Sequence, residues 1–140
     1  TDMEQLAVEI VGLCREYGEC RVEVERMEEV RRVKNALESV CVVARRKLDI
    51  SDPALLLALL DAYEVTRDEG MLQEVLDVVG RNLDRLAVSA ESVKLLAYCY
   101  YYVEEEECAE RARRMLEELR KMGRGEEELA DAETILEELT

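Results

Sequence analysis

The chain has 140 residues, a net charge of −15, and no histidine, phenylalanine or tryptophan. The missing histidine excludes Ser-His and Cys-His catalytic pairs and histidine-containing zinc sites, and the acidic charge argues against nucleic-acid binding, which depends on cations that neutralise phosphates. The length and the 49% of hydrophobic residues are typical of a single folded domain that covers residues 1–140.

The first part of the chain predicts two helices. The first covers residues 2–17, and Gly18 is its expected stop signal. The second covers residues 22–48, where apolar side chains recur every three or four positions. Apolar residues surround this helix at positions 40–44, so we expect that segment in the interior of the domain. The negative end of its dipole is complemented by three cations, Arg45, Arg46 and Lys47.

Asp52 followed by Pro53 predicts the start of a third helix, because the pair is typical of an N-cap and a first helical position. This helix carries residues 55–65 and begins with a run that is apolar on every side, so we expect it at the centre of the domain. Residues 67–70 form the expected turn. A fourth helix then presents an apolar stripe and continues over residues 71–86.

Ser89 predicts the cap of a fifth helix over residues 90–103. The acidic run at residues 104–107 is expected at the start of the sixth helix, where negative side chains interact favourably with the helix dipole. The Gly-Arg-Gly segment at residues 123–125 ends that helix. A last amphipathic helix over residues 126–139 is typical of a cap that closes a stack of helices.

Two segments of the chain, residues 56–80 and 93–117, match at an offset of 37 residues. Under this shift Leu59 falls on Leu96, and apolar or small residues meet at helical spacing throughout. Both segments therefore predict the same helix-turn-helix unit. The expected fold class is all-α, with about seven helices stacked as antiparallel, repeat-like hairpins.

The second copy resembles a tetratricopeptide repeat, which has a leucine and a small residue before a tyrosine and a small residue nine positions after it. Here these are Leu96, Ala97, Tyr100 and Ala109. The earlier copy offers Leu59, Tyr63 and Leu72, and both copies lack the closing proline of the family. The resemblance covers roughly residues 54–119. It implies a concave groove, lined by the first helices of the hairpins, that binds peptides or protein segments.

A cluster of tyrosines supplies the main candidate partner-binding residues. Tyr98 and Tyr102 share a helix face through their four-residue spacing, and Glu104 and Glu105 lie beside them in the sequence. Tyrosine is frequent at interfaces because its ring packs on apolar surface while its hydroxyl stays in water. Packing between helices is the alternative role of these rings. The family resemblance adds two first-helix residues, Tyr63 and Glu64.

Five cysteines are unusual for a chain of this size and never form a Cys-x-x-Cys motif, so the sequence predicts no metal site. In a reducing compartment they would be small buried hydrophobes. The Glu- and Arg-rich composition also suits a hyperthermophile, whose intracellular proteins contain disulfides. The candidate pairs, Cys99 with Cys108 and Cys14 with Cys20, lie across predicted turns. Cys41, in the apolar segment, is expected to be a free thiol.

No reaction is indicated by the sequence, and no catalytic residue or cofactor is expected. The leading interpretation is a non-enzymatic interaction module, an adaptor or scaffold that binds a protein or peptide of basic character. The alternative is a structural or regulatory helical bundle that self-associates, as a homodimer, through its long second helix or its last helix. No stretch is apolar enough to span a membrane and the N-terminal residues lack a signal peptide, so we expect a cytoplasmic protein.

Overall fold

The computed structural model describes residues 2–123 and 125–140, and within these ranges the secondary structure is entirely helical. Seven α-helices and two short 3-10 helices follow one another along the chain. The α-helices are α1 (Asp2–Cys20), α2 (Met27–Arg45), α3 (Pro53–Thr66), α4 (Glu69–Arg81), α5 (Ala90–Val103), α6 (Glu106–Met122) and α7 (Glu126–Leu139). The 3-10 helices cover Val24–Arg26 and Leu83–Arg85. The all-α prediction is confirmed.

The chain divides into two compact units, Thr1–Val75 and Leu76–Thr140. In the N-terminal unit, α1 packs against α2 and α3, and α2 also packs against α3. In the C-terminal unit, α5 packs against α6 and α7, which contact each other. The boundary between the units falls inside α4. The sequence-based assignment of residues 1–140 to one domain stays a prediction.

The buried positions explain why α3 and α5 lie at the centre of their units. Seven residues of α3 are buried on several of its faces, as the apolar run at its start predicts: Leu55, Leu56, Ala58, Leu59, Leu60, Ala62 and Tyr63. Seven residues of α5 are buried as well: Ala90, Ser92, Val93, Leu95, Leu96, Ala97 and Cys99. Six of the seven α3 positions fall on buried α5 positions under the 37-residue shift.

The same shift reproduces the local backbone structure. It maps both ends of α3 onto the ends of α5, and the first residue of α4 onto the first residue of α6. Each first helix ends at a residue in the left-handed region, Arg67 at φ 54° and Glu104 at φ 53°. Neither is glycine, so each conformation costs about 1 kcal/mol or more. Backbone hydrogen bonds from Arg67 N to Tyr63 O (2.8 Å) and from Glu104 N to Tyr100 O (2.7 Å) close these turns.

Two predictions for the N-terminal unit are wrong. Gly18 does not end α1, which continues to Cys20 because Gly18 keeps helical geometry and Arg21 N still bonds Tyr17 O at 3.0 Å. The segment at residues 40–44 is not interior on every side, since Val42 and Val43 are 50% and 42% exposed. The helices packed on α2 cover only one of its faces.

Several helix boundaries also differ from the prediction. Helix α2 covers Met27–Arg45, so of the three predicted cations only Arg45 lies in its last turn. Helix α4 begins at Glu69, within the predicted turn, and ends at Arg81 rather than near residue 86. In the acidic run, Glu104 closes α5, Glu105 precedes α6, and only the last two glutamates occupy the first turn of α6.

The predicted features of the C-terminal helices are otherwise confirmed. Ser89 caps α5, α6 ends at Gly123 in the left-handed conformation, and α7 has the predicted bounds. Arg124, part of the predicted stop segment, lies outside the described residues. The apolar face predicted for α7 is largely buried through Leu129, Ala132 and Leu136.

The two segments related by the 37-residue shift offer a matched test of helix capping. The Ser89 hydroxyl accepts a hydrogen bond from Ser92 N at 3.1 Å, whereas Asp52, at the equivalent position, makes no side-chain cap bond. We expect Ser89→Ala to lower the free energy of unfolding by about 1 kcal/mol, and Asp52→Ala to lower it by less. Urea denaturation followed by circular dichroism measures both. Equal losses would contradict the assigned cap.

Candidate binding groove

A groove with a volume of about 530 Å³ lies between α1 and α3 of the N-terminal unit. We call it the α1–α3 groove. Its apolar lining comes from Val11, Cys14 and Tyr17 on α1 and from Val65 on α3. All four side chains keep some exposure to solvent. The groove therefore presents apolar surface that nothing in the N-terminal unit covers.

Gly18 lines the α1–α3 groove where a side chain would otherwise project. A Cβ atom built at this position would meet no atom within 4 Å. Glycine inside a helix costs about 1 kcal/mol relative to alanine, so the residue lowers the stability of α1 at a position that lines the groove. Gly12, also within α1, has an equally open environment but does not line the groove.

Charged side chains of both signs surround this apolar lining: Arg15, Arg21, Asp61, Glu64 and Arg67. Glu64 and Arg67 form an ion pair at 3.4 Å, and the Arg67 guanidinium lies 5.6 Å from the centroid of the Tyr63 ring. Arg15 and Arg21, on the α1 side, are exposed to solvent. The groove lining thus contains three arginines and two carboxylates, and one of these carboxylates, Glu64, is already paired with Arg67.

Two titratable groups in the groove have raised pKa values. Burial raises the pKa of the Cys14 thiol to about 12, and the nearby Asp61 carboxylate contributes to the shift. Partial burial also raises the pKa of Asp61, with a further contribution from Glu64, although the Asp61 side chain keeps solvent access. Cys14 is therefore a neutral thiol at neutral pH. It acts as apolar lining and not as a nucleophile.

Of the two first-helix residues implied by the family resemblance, only Glu64 lies in the groove. Tyr63 is 6% exposed, and its hydroxyl donates a hydrogen bond of 2.6 Å to the carboxylate of Glu69 at the start of α4. This bond spans the left-handed turn at Arg67. Tyr63 therefore stabilises the turn from a buried position, and its contact with a partner stays a prediction.

The contribution of α1 to the groove is not among the predictions from the sequence, although the sequence contains a signal for it. A leucine followed four positions later by a tyrosine occurs in α1, α3 and α5: Leu13 and Tyr17, Leu59 and Tyr63, Leu96 and Tyr100. Aligning these pairs places Arg15 of α1 at the position of Asp61 and Gly18 at the position of Glu64. All four residues line the groove. The spacing could have identified α1 as another first helix.

The remaining predicted residues lie in the C-terminal unit. Tyr98 and Tyr102 are half-buried on α5, and Glu104 and Glu105 are exposed in the turn before α6. The ring of Tyr102 packs edge to face against Tyr101, with centroids 5.1 Å apart. Tyr101 is 56% exposed, more than either predicted tyrosine. These residues form a surface of their own unit, and their contact with a partner stays a prediction.

All five cysteines are free thiols, so neither predicted disulfide is present in the structure. Cys14 and Cys20 both lie on α1 because that helix continues past Gly18, and six residues of helix separate them by about 9 Å along the axis. Cys99 and Cys108 are buried on α5 and α6, and burial raises the pKa of both. Cys41 is a buried free thiol, as predicted.

An ion-pair network joins α2 to the α3–α4 turn. The Arg45 guanidinium donates two hydrogen bonds to Glu74, from Nε at 2.9 Å and from Nη2 at 2.8 Å, and a third to Asp68 at 2.8 Å. The other oxygen of Asp68 accepts from Met71 N at 3.2 Å. The sequence predicts a helix-dipole role for Arg45 but not this pairing, because residues so far apart along the chain carry no local signal of pairing.

The network predicts a pH-dependent contribution to stability. Arg45→Met keeps most of the aliphatic stem of the arginine but removes its guanidinium. We expect this substitution to lower the free energy of unfolding at neutral pH by only about 1 kcal/mol, because the ion pairs are partly exposed to solvent. Arg45 lowers the pKa of Glu74 in the folded state. The ion pair therefore stabilises the folded state at pH values above the usual glutamate pKa. This stabilisation is lost as the pH falls through the lowered pKa of Glu74.

Urea unfolding of wild type and Arg45→Met over a pH series measures this contribution. We expect the difference in unfolding free energy to shrink from about pH 5 to about pH 3. A difference that stays constant over this range would contradict the ion-pair assignment and would indicate lost packing of the arginine stem.

Among the described residues, no group of three or more cysteine, aspartate or glutamate side chains is placed to hold a metal ion. Nor does any helix in the described ranges have the length and apolar character needed to cross a bilayer. The chain matches no family model, and it has no significant similarity to a curated protein or to a solved structure.

Proposed function

We propose that the chain is a non-enzymatic interaction module, an adaptor or scaffold that binds a protein or peptide segment in the α1–α3 groove. The observation that carries this proposal is a groove of about 530 Å³ whose apolar lining from α1 and α3 keeps solvent exposure among charged side chains. Binding pockets typically combine apolar lining of this volume with a few polar groups that orient the bound chain.

The charge of the chain favours a basic partner. Residues 1–75 contain 17 acidic and 10 basic side chains, and residues 76–140 contain 17 and 9. Both parts are therefore negative, and such a field speeds encounter with a positive partner. Within the groove, Arg15 and Arg21 would donate hydrogen bonds to backbone carbonyl oxygens of an extended peptide segment. These oxygens are acceptors for arginine N–H groups, so the peptide needs no negative side chain.

Selection from a display library of random short peptides on the full chain tests the proposal. We expect enriched peptides that combine an apolar residue with lysine or arginine, and an affinity that falls as salt is added. A selection that enriches no sequence above the unselected library would contradict the proposed function. Enrichment of acidic peptides would support the proposed interaction module but would contradict the proposal that its partner is basic.

The alternative function is self-association as a structural or regulatory bundle. Two large apolar side chains favour it, because Val8 on α1 is 72% exposed and Met27 at the start of α2 is 61% exposed. Sedimentation velocity over a wide concentration range distinguishes the two functions. A monomer at all concentrations would overturn self-association, and a stable dimer would favour it.

A further inference from the structure

A second pocket lies in the N-terminal unit, between α2 and the α3–α4 turn, with a volume of about 350 Å³. We call it the Val42 pocket, after the side chain that the sequence predicted to be interior and the structure leaves half exposed. It shares no lining residue with the α1–α3 groove. Its occupant can therefore be tested separately from the proposed function.

The apolar part of the Val42 pocket consists of Val42 with Cys41 and Met71. Cys41 is 4% exposed and Met71 is 1% exposed, so both contribute surface from within the core of the unit. Burial raises the pKa of Cys41 to about 11. The thiol is neutral at neutral pH and behaves as apolar surface beside the valine.

Negative charge is in excess around this apolar surface. Two carboxylates, Glu38 and Asp68, line the pocket together with one cation, Arg45. The Arg45 guanidinium is already bound on both its edges, by Glu74 and by Asp68. Glu38 is exposed on α2, and the Asp68 side chain is 44% exposed. Both oxygens of Asp68 already accept a hydrogen bond, from Arg45 and from Met71 N, so Glu38 is the pocket carboxylate that is left to bind a further cation.

We propose that the Val42 pocket binds a lysine or arginine side chain of a partner protein. The methylene stem of such a side chain packs on the apolar surface at Val42, and its cationic head binds Glu38 at the edge of the pocket. Long cationic side chains bury their stems on apolar surface while the charged end reaches acceptors at the edge. The pocket thus supplies an anchor point for a basic partner outside the α1–α3 groove.

The probe that tests this pocket is N-acetyl-arginine amide, with N-acetyl-citrulline amide as its neutral counterpart of nearly equal shape. Each is titrated into the isotope-labelled full chain, and amide chemical shifts are followed by NMR. We expect the arginine probe to shift residues 38–45 and 66–71, and the citrulline probe to leave them unchanged. Equal shifts from both probes, or shifts spread evenly over all acidic surfaces, would overturn the proposal.

Glu38→Gln provides the variant test, because this exposed carboxylate can be neutralised without removing a contact inside the unit. Glu28→Gln is the matched control, since Glu28 is exposed on the same helix outside the pocket. We expect Glu38→Gln to weaken the arginine probe about threefold, as for a partly exposed charge pair, and Glu28→Gln to leave its affinity unchanged. Equal effects of the two variants would overturn the proposal.

A second copy of the chain is the other candidate occupant of the pocket. If the amides of residues 38–45 shift on dilution without any probe, and sedimentation shows a dimer that Val42→Ser dissociates, the pocket is a self-association surface and the proposal fails. Dilution that leaves these amides unchanged supports the cationic occupant. Neither result depends on whether the α1–α3 groove binds a peptide.

Discussion

Leu59→Ala and Leu96→Ala should each lower the free energy of unfolding by about 3 kcal/mol. Both leucines are fully buried, at 0% exposure, and they occupy equivalent positions on α3 and α5. Each substitution removes buried methyl groups and leaves a cavity that the surrounding helices only partly fill. The free energies are measured by urea denaturation, with helicity followed by circular dichroism.

Leu57 provides the matched control for these two substitutions. It lies on α3 two residues before Leu59 but is only half-buried. We expect Leu57→Ala to cost less, about 1 to 2 kcal/mol, because part of the Leu57 side chain already contacts water. Similar losses for Leu57→Ala and Leu59→Ala would contradict the central position that the structure gives to α3.

Gly18→Leu should abolish most peptide binding to the α1–α3 groove while leaving the fold intact. The new side chain would enter the groove, because nothing lies within 4 Å of the position of its Cβ. Replacing a glycine inside a helix also raises helix stability by up to about 1 kcal/mol. We expect the affinity for a selected peptide to fall at least about tenfold, since an apolar contact of this size contributes more than 1.4 kcal/mol.

Gly12→Leu separates blocking of the groove from a general effect on α1. Gly12 has the same open surroundings on the same helix but lies outside the groove lining. Fluorescence polarisation of the peptide measures both affinities, and thermal denaturation measures both stabilities. If Gly18→Leu binds as tightly as Gly12→Leu, the peptide does not occupy the groove at this point.

Local signals explain why most helices could be predicted. Pro53 at a first helical position, Ser89 at a cap and Gly123 at a stop each act through their own backbone geometry, so the sequence alone locates them. Gly18 is different, because a glycine ends a helix only where the chain beyond it turns away. Here α1 continues to Cys20.

The burial of individual side chains and the residues that line the groove could not be predicted without the tertiary structure. The apolar run that includes Val42 and Val43 predicts an interior helix, but exposure depends on which neighbours cover each face. Glu64 was identified through the repeat, whereas Arg15 and Arg21 enter the groove only because α1 packs against α3. The leucine-tyrosine spacing marks α1 as a helix of the same kind as α3, but local periodicity does not show that these two helices pack against each other.

NMR mapping of a selected peptide on the full chain tests the proposed groove most directly. Chemical shifts of the backbone amides are recorded with and without the peptide at saturating concentration. We predict the largest changes at residues 11–21 of α1 and residues 61–67 of α3, which line the groove on its two sides. Changes confined to residues 98–105, or to any surface outside these two helices, would contradict the account and place the binding site elsewhere.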